Sequence, residues 1–320
     1  MTAKLSVVVG TYNRLSQIQR CVNSVFRETT VPVIVYVTDA GSTDGTVEYL
    51  KANASERLKP ILVGQRLGQA RAYNDVFDLV DTEFVCWLSD DNELVNSALD
   101  VAIRALERDR RLGMVGLKTK DVEGPFADFP YIGGISSIGI LNVNQGVLPT
   151  AVLRQVGGFS EAFRDYGIDP DLTAKILFSG YDLALTRRVG LLHYRNWETD
   201  PSSAIYAKLS KLQEQYQRKY KLKYRDFARG GASWYLKKAF WRLLQKVLAA
   251  RANVNAPNTL LGRLPRDWNN IFAGRYVNLL EALMDREEAI YLRQHCPRTR
   301  CPERLPPDPA PFEAELLHTR

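Results

Sequence analysis

Two adjacent carboxylates, Asp90 and Asp91, come directly after the apolar run 84–88 and one serine. Carboxylate oxygens are ligands of the kind that Mg²⁺ and Mn²⁺ prefer, and such a cation would neutralise a diphosphate. The same pair is also typical of a solvated acidic turn that caps a helix, here one beginning near Leu94. The pair therefore predicts either a cation site or a helix cap.

Polar residues also follow two earlier apolar runs. Residues 11–14 come after the β-branched run 5–9, and the acid-rich segment 39–44 comes after the run 32–37. Each cluster alone is typical of an ordinary turn in which Asp and Asn act as caps. Three such clusters at one edge of a sheet favour a ligand site.

The elements between these clusters alternate in type. Buried runs at 5–9, 32–37, 61–63 and 84–88 predict strands, and apolar residues at helical spacing predict helices from about 15, at 46–52 and at 69–80. This alternation predicts an α/β fold with a mainly parallel central sheet and right-handed crossovers. Ligands of such sheets bind beyond the carboxyl ends of the strands, where the polar clusters fall.

The composition predicts a folded protein with most of its excess charge in one region. The chain has 320 residues, of which 45% are hydrophobic and 25% charged, and its net charge is +7. Between residues 201 and 250 there are 12 basic residues and 2 acidic ones. Helical spacing at 205–220, 233–250 and 271–292 predicts a mostly helical extension, and 297–311 is rich in proline.

Several classes of protein are disfavoured. No G-x-G-x-x-G follows the first strand and the chain contains no Gly-Lys pair, so a dehydrogenase or a P-loop nucleotidase is not indicated. The four cysteines are too few and too scattered for a disulfide framework, which predicts a reducing cytoplasm. The apolar stretch 5–9 is too short for an export signal, and no transmembrane segment is predicted.

The polar clusters and three further motifs stand in the order and spacing found in family 2 glycosyltransferases, which the chain therefore resembles. The motifs are Val7–Arg14, Asp39–Thr46, Gly68–Asn74, Ser89–Asn92, Gly157–Glu161 and Gly167–Leu172. The resemblance covers roughly the first 200 residues, to about His193. It implies a GT-A fold and an inverting, bacterial-type enzyme that transfers a sugar from a nucleoside-diphosphate donor, with UDP favoured, to a hydroxyl.

The resemblance also implies a division of the chain. Residues 1–200 would form the catalytic domain, in which about 1–95 bind the nucleotide sugar and about 96–200 bind the acceptor. Residues 201–295 would form the basic helical region, and 296–320 the proline-rich tail.

Roles at the donor are implied position by position. The residues assigned to the nucleotide are Thr11, Tyr12, Arg14, Asp39, Asp44, Arg71 and Asp90, the last as a contact to the ribose or as a residue that supports the metal ligand. Asp91 would bind Mg²⁺ or Mn²⁺ directly. His193 would complete the metal shell or contact a phosphate, and a structural, hydrogen-bonding histidine is the alternative. The family commonly has a second acid where Ala40 stands.

The later acidic motif implies the catalytic base. Asp169 holds the position whose carboxylate accepts the proton of the acceptor hydroxyl, and an ordinary aspartate, with a pKa of about 4, is ionised at pH 7. The family often has an acid where Ile168 stands, and Pro170 follows the proposed base. Asp165 or Asp171 therefore remains an alternative base.

Two other functional classes remain as alternatives. A sugar nucleotidyltransferase would use a glycine-rich loop with Arg and Lys after the first strand, and the segment 10–14 is not such a loop. A non-catalytic carbohydrate-binding or membrane-scaffold protein with the same fold is the other alternative.

The basic, aromatic segment 205–250 has three interpretations. Packing on the catalytic domain is the simplest, peripheral contact with anionic lipid at the inner face of the membrane is second, and nucleic-acid binding is disfavoured. The implied acceptor is a carbohydrate or a lipid-linked glycan in bacterial polysaccharide or glycoconjugate assembly. The sequence does not indicate an oligomeric state.

Overall fold

A computed structural model describes residues 2–123, 127, 136, 138, 140, 142–195, 202–227, 290–294 and 304–310, with backbone only for 290–294. The predicted helix 233–250 lies outside the described residues, as do Cys296 and Cys301. The other two cysteines, Cys21 and Cys86, are buried free thiols.

The N-terminal half forms the alternating α/β unit that the sequence predicts. Its strands are β1 (Leu5–Thr11), β2 (Val33–Asp39), β3 (Leu58–Leu62) and β4 (Phe84–Ser89), and its helices are α1 (Leu15–Glu28), α2 (Thr46–Ala52) and α3 (Gln69–Phe77). The strands lie in the order β3-β2-β1-β4, and all neighbours are parallel. Their carboxyl ends therefore share one edge.

The second half extends this sheet with strands of both directions. Its elements are β5 (Asn92–Leu94), α4 (Ala98–Arg108), β6 (Leu112–Asp121), β7 (Gly146–Pro149), α5 (Thr150–Gln155), α6 (Ile168–Phe178), β8 (Asp182–His193) and α7 (Ala204–Lys223). The sheet continues from β4 in the order β7-β6-β8-β5, with β7 antiparallel to both of its neighbours and β6 parallel to β8. The α/β prediction is confirmed, and the complete sheet is mixed.

A ninth strand comes from the C-terminal part of the chain. β9 (Ile290–Gln294) pairs antiparallel with β8. The predicted helix over 271–292 is therefore wrong at its last three residues, where β-branched and aromatic types favour extended backbone at a sheet edge. The helix predicted over 205–220 is confirmed as α7.

Apolar side chains cover both faces of the sheet. Val7 and Val9 of β1 pack in one hydrophobic cluster with α1 and α4, whereas Val8 packs in the other cluster with α3, α5 and α6. Successive side chains of a strand point to opposite faces, so an unbroken β-branched run fits a strand covered on both sides. This core holds the strand ends of the polar edge in place.

Helix α6 is buried along almost its whole length and begins against α7. The residue before it, Gly167, has φ +93°, and a Cβ there would lie 2.1 Å from Cδ2 of Tyr216 in α7. Both the left-handed backbone and the close ring require glycine.

We expect Gly167→Ala to lower the free energy of unfolding by about 3 kcal/mol, because the methyl group would clash with the ring and strain the backbone. Urea denaturation measures the change. Gly180→Ala is the matched control, because Gly180 also has a positive φ (+89°) but no atom within 4 Å of the added Cβ. A loss no larger than that of the control would show that the ring yields.

Candidate active site

The adjacent carboxylates at the end of β4 are held by the turn that follows β1. Asp90 is 5% exposed, and its carboxylate accepts hydrogen bonds from Thr11 Oγ1 at 2.9 Å and Arg14 Nη1 at 2.8 Å. Arg14 Nη1 also donates to Asp91 Oδ2 at 3.1 Å. Because β1 and β4 pair in parallel, Gly10 lies opposite Ser89 and the two turns meet. The structure thus brings the predicted Thr11, Arg14, Asp90 and Asp91 together.

The helix-cap interpretation of the acid pair is wrong. β5 follows the pair directly, and α4 begins only at Ala98, with Ser97 as its N-cap residue. The two aspartates therefore do not cap the helix that comes after them.

The two carboxyls have different electrostatic environments. Burial and the neighbouring Asp91 raise the pKa of Asp90, against the opposing effect of Arg14. Burial would raise the pKa of Asp91 too, but the hydrogen bond and charge of His193, together with Arg14, lower it. Asp91 is therefore the member of the pair that stays ionised most readily.

His193 lies at the end of β8 between two carboxylates. Its Nε2 is 3.3 Å from Asp91 Oδ1, and its Nδ1 is 3.0 Å from Asp121 Oδ1. Burial alone would lower the pKa of His193, but the two carboxylates outweigh burial and raise the pKa to about 9. The sheet register explains the meeting, because His193 pairs with Asn92 of β5 and with Asp121 of β6.

Asp121 is a site residue that the sequence analysis missed. Its side chain is fully buried at the end of β6. The signal for it in the sequence was weak, because the three polar residues 118–120 separate Asp121 from the apolar run 112–117. His193 therefore lies between Asp91 and Asp121, and Arg14 links Asp91 to Asp90.

The second predicted cluster forms a bonded turn around Asp39. Its carboxylate is 1% exposed and accepts hydrogen bonds from the backbone of Gly41 at 2.8 Å and Ser42 at 3.0 Å, as well as from the Ser42 hydroxyl. The Ser42 hydroxyl in turn accepts a bond from the backbone of Asn13. Asp39 shapes the turn after β2, and its role as a contact to the nucleotide base stays a prediction.

Asp44 joins the same turn to two helix starts. Its Oδ2 accepts a bond from the backbone of Leu15 at 2.9 Å, and its Oδ1 accepts bonds from the backbone of Thr46 at 3.2 Å and its hydroxyl at 2.6 Å. The bond from the Thr46 hydroxyl is the main cause of a lowered pKa. Asp44 thus fixes the start of α1 and α2, and its predicted place beside the base stays a prediction.

We expect Asp44→Ala to lower the free energy of unfolding by about 1–2 kcal/mol, because two helix N-termini lose a hydrogen-bond acceptor. Since the folded state lowers this pKa, the stabilisation is present above about pH 4 and fades as the pH falls through the folded pKa. Chemical denaturation at pH 7 and pH 3 measures both effects. Glu48→Ala is the control, because Glu48 is an exposed acid in the first turn of α2. An equal loss in the control would show that general charge at the helix start, rather than the Asp44 hydrogen bonds, matters.

Two other residues predicted to bind the nucleotide, Tyr12 and Arg71, lie apart from Asp90 and Asp91. Tyr12 is 37% exposed, and the guanidinium of Arg66 lies 3.8 Å from its ring centroid. Sequence reasoning did not single out Arg66. Arg71 is exposed on α3, where it pairs with Asp75 at 2.7 Å and approaches Glu161 at 3.8 Å. The structure therefore does not bring Arg71 into contact with the carboxylate pair.

The three acids considered as catalytic base have distinct surroundings. Asp165 accepts a bond from the backbone of Gln69 at 2.9 Å at the start of α3. Asp171 is fully buried, 2.6 Å from Lys223 Nζ and 2.8 Å from the Tyr224 hydroxyl. Asp169 is partly buried, its carboxylate has no hydrogen bond within the described residues, and burial raises its pKa to about 7.

The two sequence departures around Asp169 have structural reasons. Ile168 is 4% exposed and packs in the apolar core. Pro170 lies in the first turn of α6, where backbone N–H groups have no partner within the helix, so its missing donor costs nothing. The motif therefore forms a regular helix start.

The chain is similar in sequence to known glycosyltransferases. Residues 6–166, about half of the chain, match the sequence model of glycosyl transferase family 2. The chain belongs to this family. It is 32% identical over 92 residues to an uncharacterized glycosyltransferase of Nostoc sp., and 27% identical over 119 residues to the chondroitin synthase of Pasteurella multocida. The chain spans only 28% and 12% of the length of these two relatives.

Solved structures share the fold of this family 2 protein. A mannosyltransferase from Pyrobaculum calidifontis, in complex with GDP-Man and Mn²⁺, superposes with a TM-score of 0.52 at 22% identity, over 89% of this chain and 88% of that one. S. aureus TarS superposes with a TM-score of 0.51 at 18% identity, over 81% of this chain and 43% of that one. The predicted GT-A fold is confirmed, and membership of family 2 agrees with the predicted glycosyltransferase class.

The described residues contain no group of three or more His, Cys, Asp or Glu side chains arranged to hold a metal ion. No helix among them is both long and apolar enough to cross a bilayer.

Proposed function

We propose that this chain is an inverting, metal-dependent glycosyltransferase that moves a sugar from a nucleoside-diphosphate donor to an acceptor hydroxyl. The observation that carries the proposal is the cluster of Asp90, Asp91 and His193 at the carboxyl edge of the sheet. Its position matches where α/β sheets bind their ligands. Membership of family 2 supports glycosyl transfer over nucleotidyl transfer and over a non-catalytic role.

Asp91 and His193 are the residues that would hold Mg²⁺ or Mn²⁺, and His193 would do so as the neutral imidazole, after release of the proton that the two carboxylates favour in the absence of metal. Asp91 Oδ1 is buried and, apart from His193 Nε2 at 3.3 Å, forms no hydrogen bond within the described chain. Two protein ligands are enough, because such cations are commonly bound by one or two side chains together with substrate phosphates. When bound, the cation would stabilise the negative charge of the leaving diphosphate.

Asp169 is our proposed catalytic base. Asp165 is engaged at the start of α3 and Asp171 is neutralised by Lys223, whereas the Asp169 carboxylate is free to accept a proton. Its pKa of about 7 is well matched to proton transfer at neutral pH.

The proposed reaction is a single direct displacement at the anomeric carbon. The acceptor hydroxyl oxygen attacks the anomeric carbon while its proton passes to Asp169. The bond from that carbon to the phosphate oxygen breaks, and the nucleoside diphosphate leaves with the electron pair. Because the attack comes from the face opposite the leaving group, the anomeric configuration inverts. Asp90 holds Arg14 and Thr11 in place and is the proposed ribose contact.

We favour UDP as the donor nucleotide, with Tyr12, Asp39, Asp44 and Arg71 as the proposed surroundings of the nucleotide. The Pyrobaculum neighbour holds GDP-Man, so a guanosine donor is the main alternative. The proposed acceptor is a carbohydrate or lipid-linked glycan of bacterial polysaccharide or glycoconjugate assembly.

We also propose peripheral contact with the inner face of the membrane through the region 205–250. In its described part, α7 exposes a row of basic side chains, with Glu214 as the one exposed acid of the helix. The row consists of Lys208, Lys211, Arg218 and Lys221. Each basic group near an anionic lipid surface contributes about 1 kcal/mol.

Nucleotide binding tests the proposal. We expect UDP with Mn²⁺ to raise the melting temperature, since a ligand at about 100 times its Kd adds about 2.7 kcal/mol to the stability of the native state. GDP and TDP with Mn²⁺ are the comparison nucleotides, and EDTA should remove the effect. Failure of every nucleoside diphosphate to shift the melting temperature would contradict the proposal, and a shift with GDP alone would correct the donor.

A further inference from the structure

One face of α7 lies against the segment that carries Asp169. Tyr216, Lys219, Tyr220 and Lys223 recur at intervals of three and four, and we call them the α7 stripe. Lys219 Nζ donates a hydrogen bond to the backbone carbonyl of Ala162 at 3.0 Å. The stripe therefore joins the C-terminal extension to the catalytic domain.

The stripe is continued by an aromatic contact and a buried ion pair. The Tyr220 ring lies 6.5 Å from that of Phe163, and Lys223 Nζ lies 2.6 Å from Asp171 Oδ1. The Lys223 side chain is 1% exposed and Asp171 is fully buried. Lys223 Nζ also lies 2.6 Å from Asp308 Oδ1, and Asp171 Oδ2 lies 3.9 Å from Lys175 Nζ. This network of ion pairs ties α6 to α7.

Tyr216 is the member of the stripe nearest the start of α6. Its ring covers Gly167 so closely that a Cβ there would lie 2.1 Å from Cδ2 and 2.4 Å from Cε2. Asp169 follows two residues later in the first turn. Burial is the main cause of the raised pKa of Tyr216, and the charge of Asp169 adds to it, which is consistent with their proximity.

We propose that Tyr216 is a positioning residue for the transfer reaction, because its ring fixes the first turn of α6 and shields the Asp169 carboxylate from water. The inference rests on the proposed role of Asp169 as base. Among the described residues, Tyr73 of α3 and Tyr216 itself lie near enough for Asp169 to affect them: burial is the main cause of their raised pKa, and the charge of Asp169 adds to it. Within the described residues, no cation forms an ion pair with Asp169.

The test compares variants of Tyr216 in the full chain. Tyr216→Ala should lower kcat about 10-fold and move the acidic limb of the pH profile about one unit below its wild-type position, because water would reach the base. The Kd of UDP with Mn²⁺ should change less than about twofold, since the substitution leaves Asp90, Asp91 and His193 unchanged. Tyr216→Phe keeps the ring and should behave as the wild type. Tyr216→Leu, which keeps apolar volume, provides the same comparison if the alanine variant does not fold.

Tyr220→Ala is the matched control. Tyr220 lies one turn further along the same stripe and is 2% exposed, so the variant loses an equally large buried ring without uncovering Gly167. It should reduce stability and leave the pH profile in place. An equal shift in this control, or a wild-type kcat and profile in Tyr216→Ala, would overturn the proposal for Tyr216.

The same data separate this inference from the proposed function. An Asp169→Asn enzyme that still transfers sugar would overturn the base assignment, and the role of Tyr216 with it. An inactive Asp169→Asn enzyme together with an unaffected Tyr216→Ala enzyme would overturn the role of Tyr216 alone.

Discussion

Asp169→Asn is expected to lower the transfer rate by about 10²–10⁴-fold, because an amide cannot accept the proton of the acceptor hydroxyl. In the wild type, kcat/KM should rise with pH and level off above about pH 7, the pKa that burial produces at Asp169. Donor binding should be retained, since Asp169 lies outside the group formed by Asp90, Asp91 and His193. Initial rates across pH 5–9 and calorimetry with UDP and Mn²⁺ measure these effects.

The same substitution is expected to stabilise the protein at neutral and alkaline pH. The folded state raises the pKa of Asp169 above its unfolded value, so folding binds an extra proton between about pH 4 and 7 and the wild type loses stability as the pH rises through that range. The penalty amounts to at most about 4 kcal/mol above pH 7, and solvent access to the carboxyl reduces it. An asparagine does not carry the charge and avoids the penalty.

Denaturation at pH 5 and pH 8 compares the two proteins. Asp78→Asn is the control, since Asp78 is an exposed acid at the end of α3. A stability gain that is the same at both pH values would show that burial does not penalise the charged Asp169 carboxylate. A variant with the wild-type rate would show that Asp169 is not the base.

Asp91→Asn is expected to lower metal-dependent turnover by about 10²-fold or more, because the loss of a charged ligand weakens the binding of the cation that stabilises the leaving diphosphate. The amide can still accept the hydrogen bond from Arg14, so the fold should be kept. Turnover should likewise disappear in EDTA and return with Mn²⁺. Rates against Mn²⁺ concentration, with circular dichroism as the folding check, measure the effect.

Glu93→Gln is the matched control for Asp91. Glu93 lies two residues further on in β5, where it binds the Tyr194 hydroxyl at 2.7 Å and pairs with Arg27 at 3.1 Å. The Glu93→Gln substitution removes one negative charge two residues from Asp91 and leaves the proposed metal ligands unchanged. Full activity of Asp91→Asn, or wild-type rates in EDTA, would contradict the metal role.

The parallel half of the fold and its polar edge could be predicted from local signals. Runs of β-branched residues and short helical repeats predict strands and helices of five to fourteen residues. The alternation of strands with helices then predicts a parallel sheet with Thr11, Asp39 and Asp90 at one edge. The pairing of Arg14 with both aspartates could not be predicted, because it depends on the register that sets Gly10 opposite Ser89.

Long-range pairings account for the remaining differences. Asp121 meets His193 only because β6 and β8 are neighbours, although 72 positions separate the two residues. The sequence favours Asp169 only through its place in the family motif and leaves Asp165 and Asp171 as alternatives. The bond of Asp165 to α3 and the ion pair of Asp171 with α7 distinguish these two acids from Asp169. Such contacts form between elements whose order in the sheet no local pattern reveals.

β9 also has a consequence for how the protein can be shortened. Residues 183–186 of β8 pair with β9, while the end of β8 pairs with β5. A chain cut after residue 227 would leave the backbone N–H and C=O groups of residues 183–186 without β9 as their hydrogen-bonding partner. An open strand edge of this kind is a template for association between molecules. A truncated version that ends after α7 should therefore self-associate at concentrations where the full chain does not.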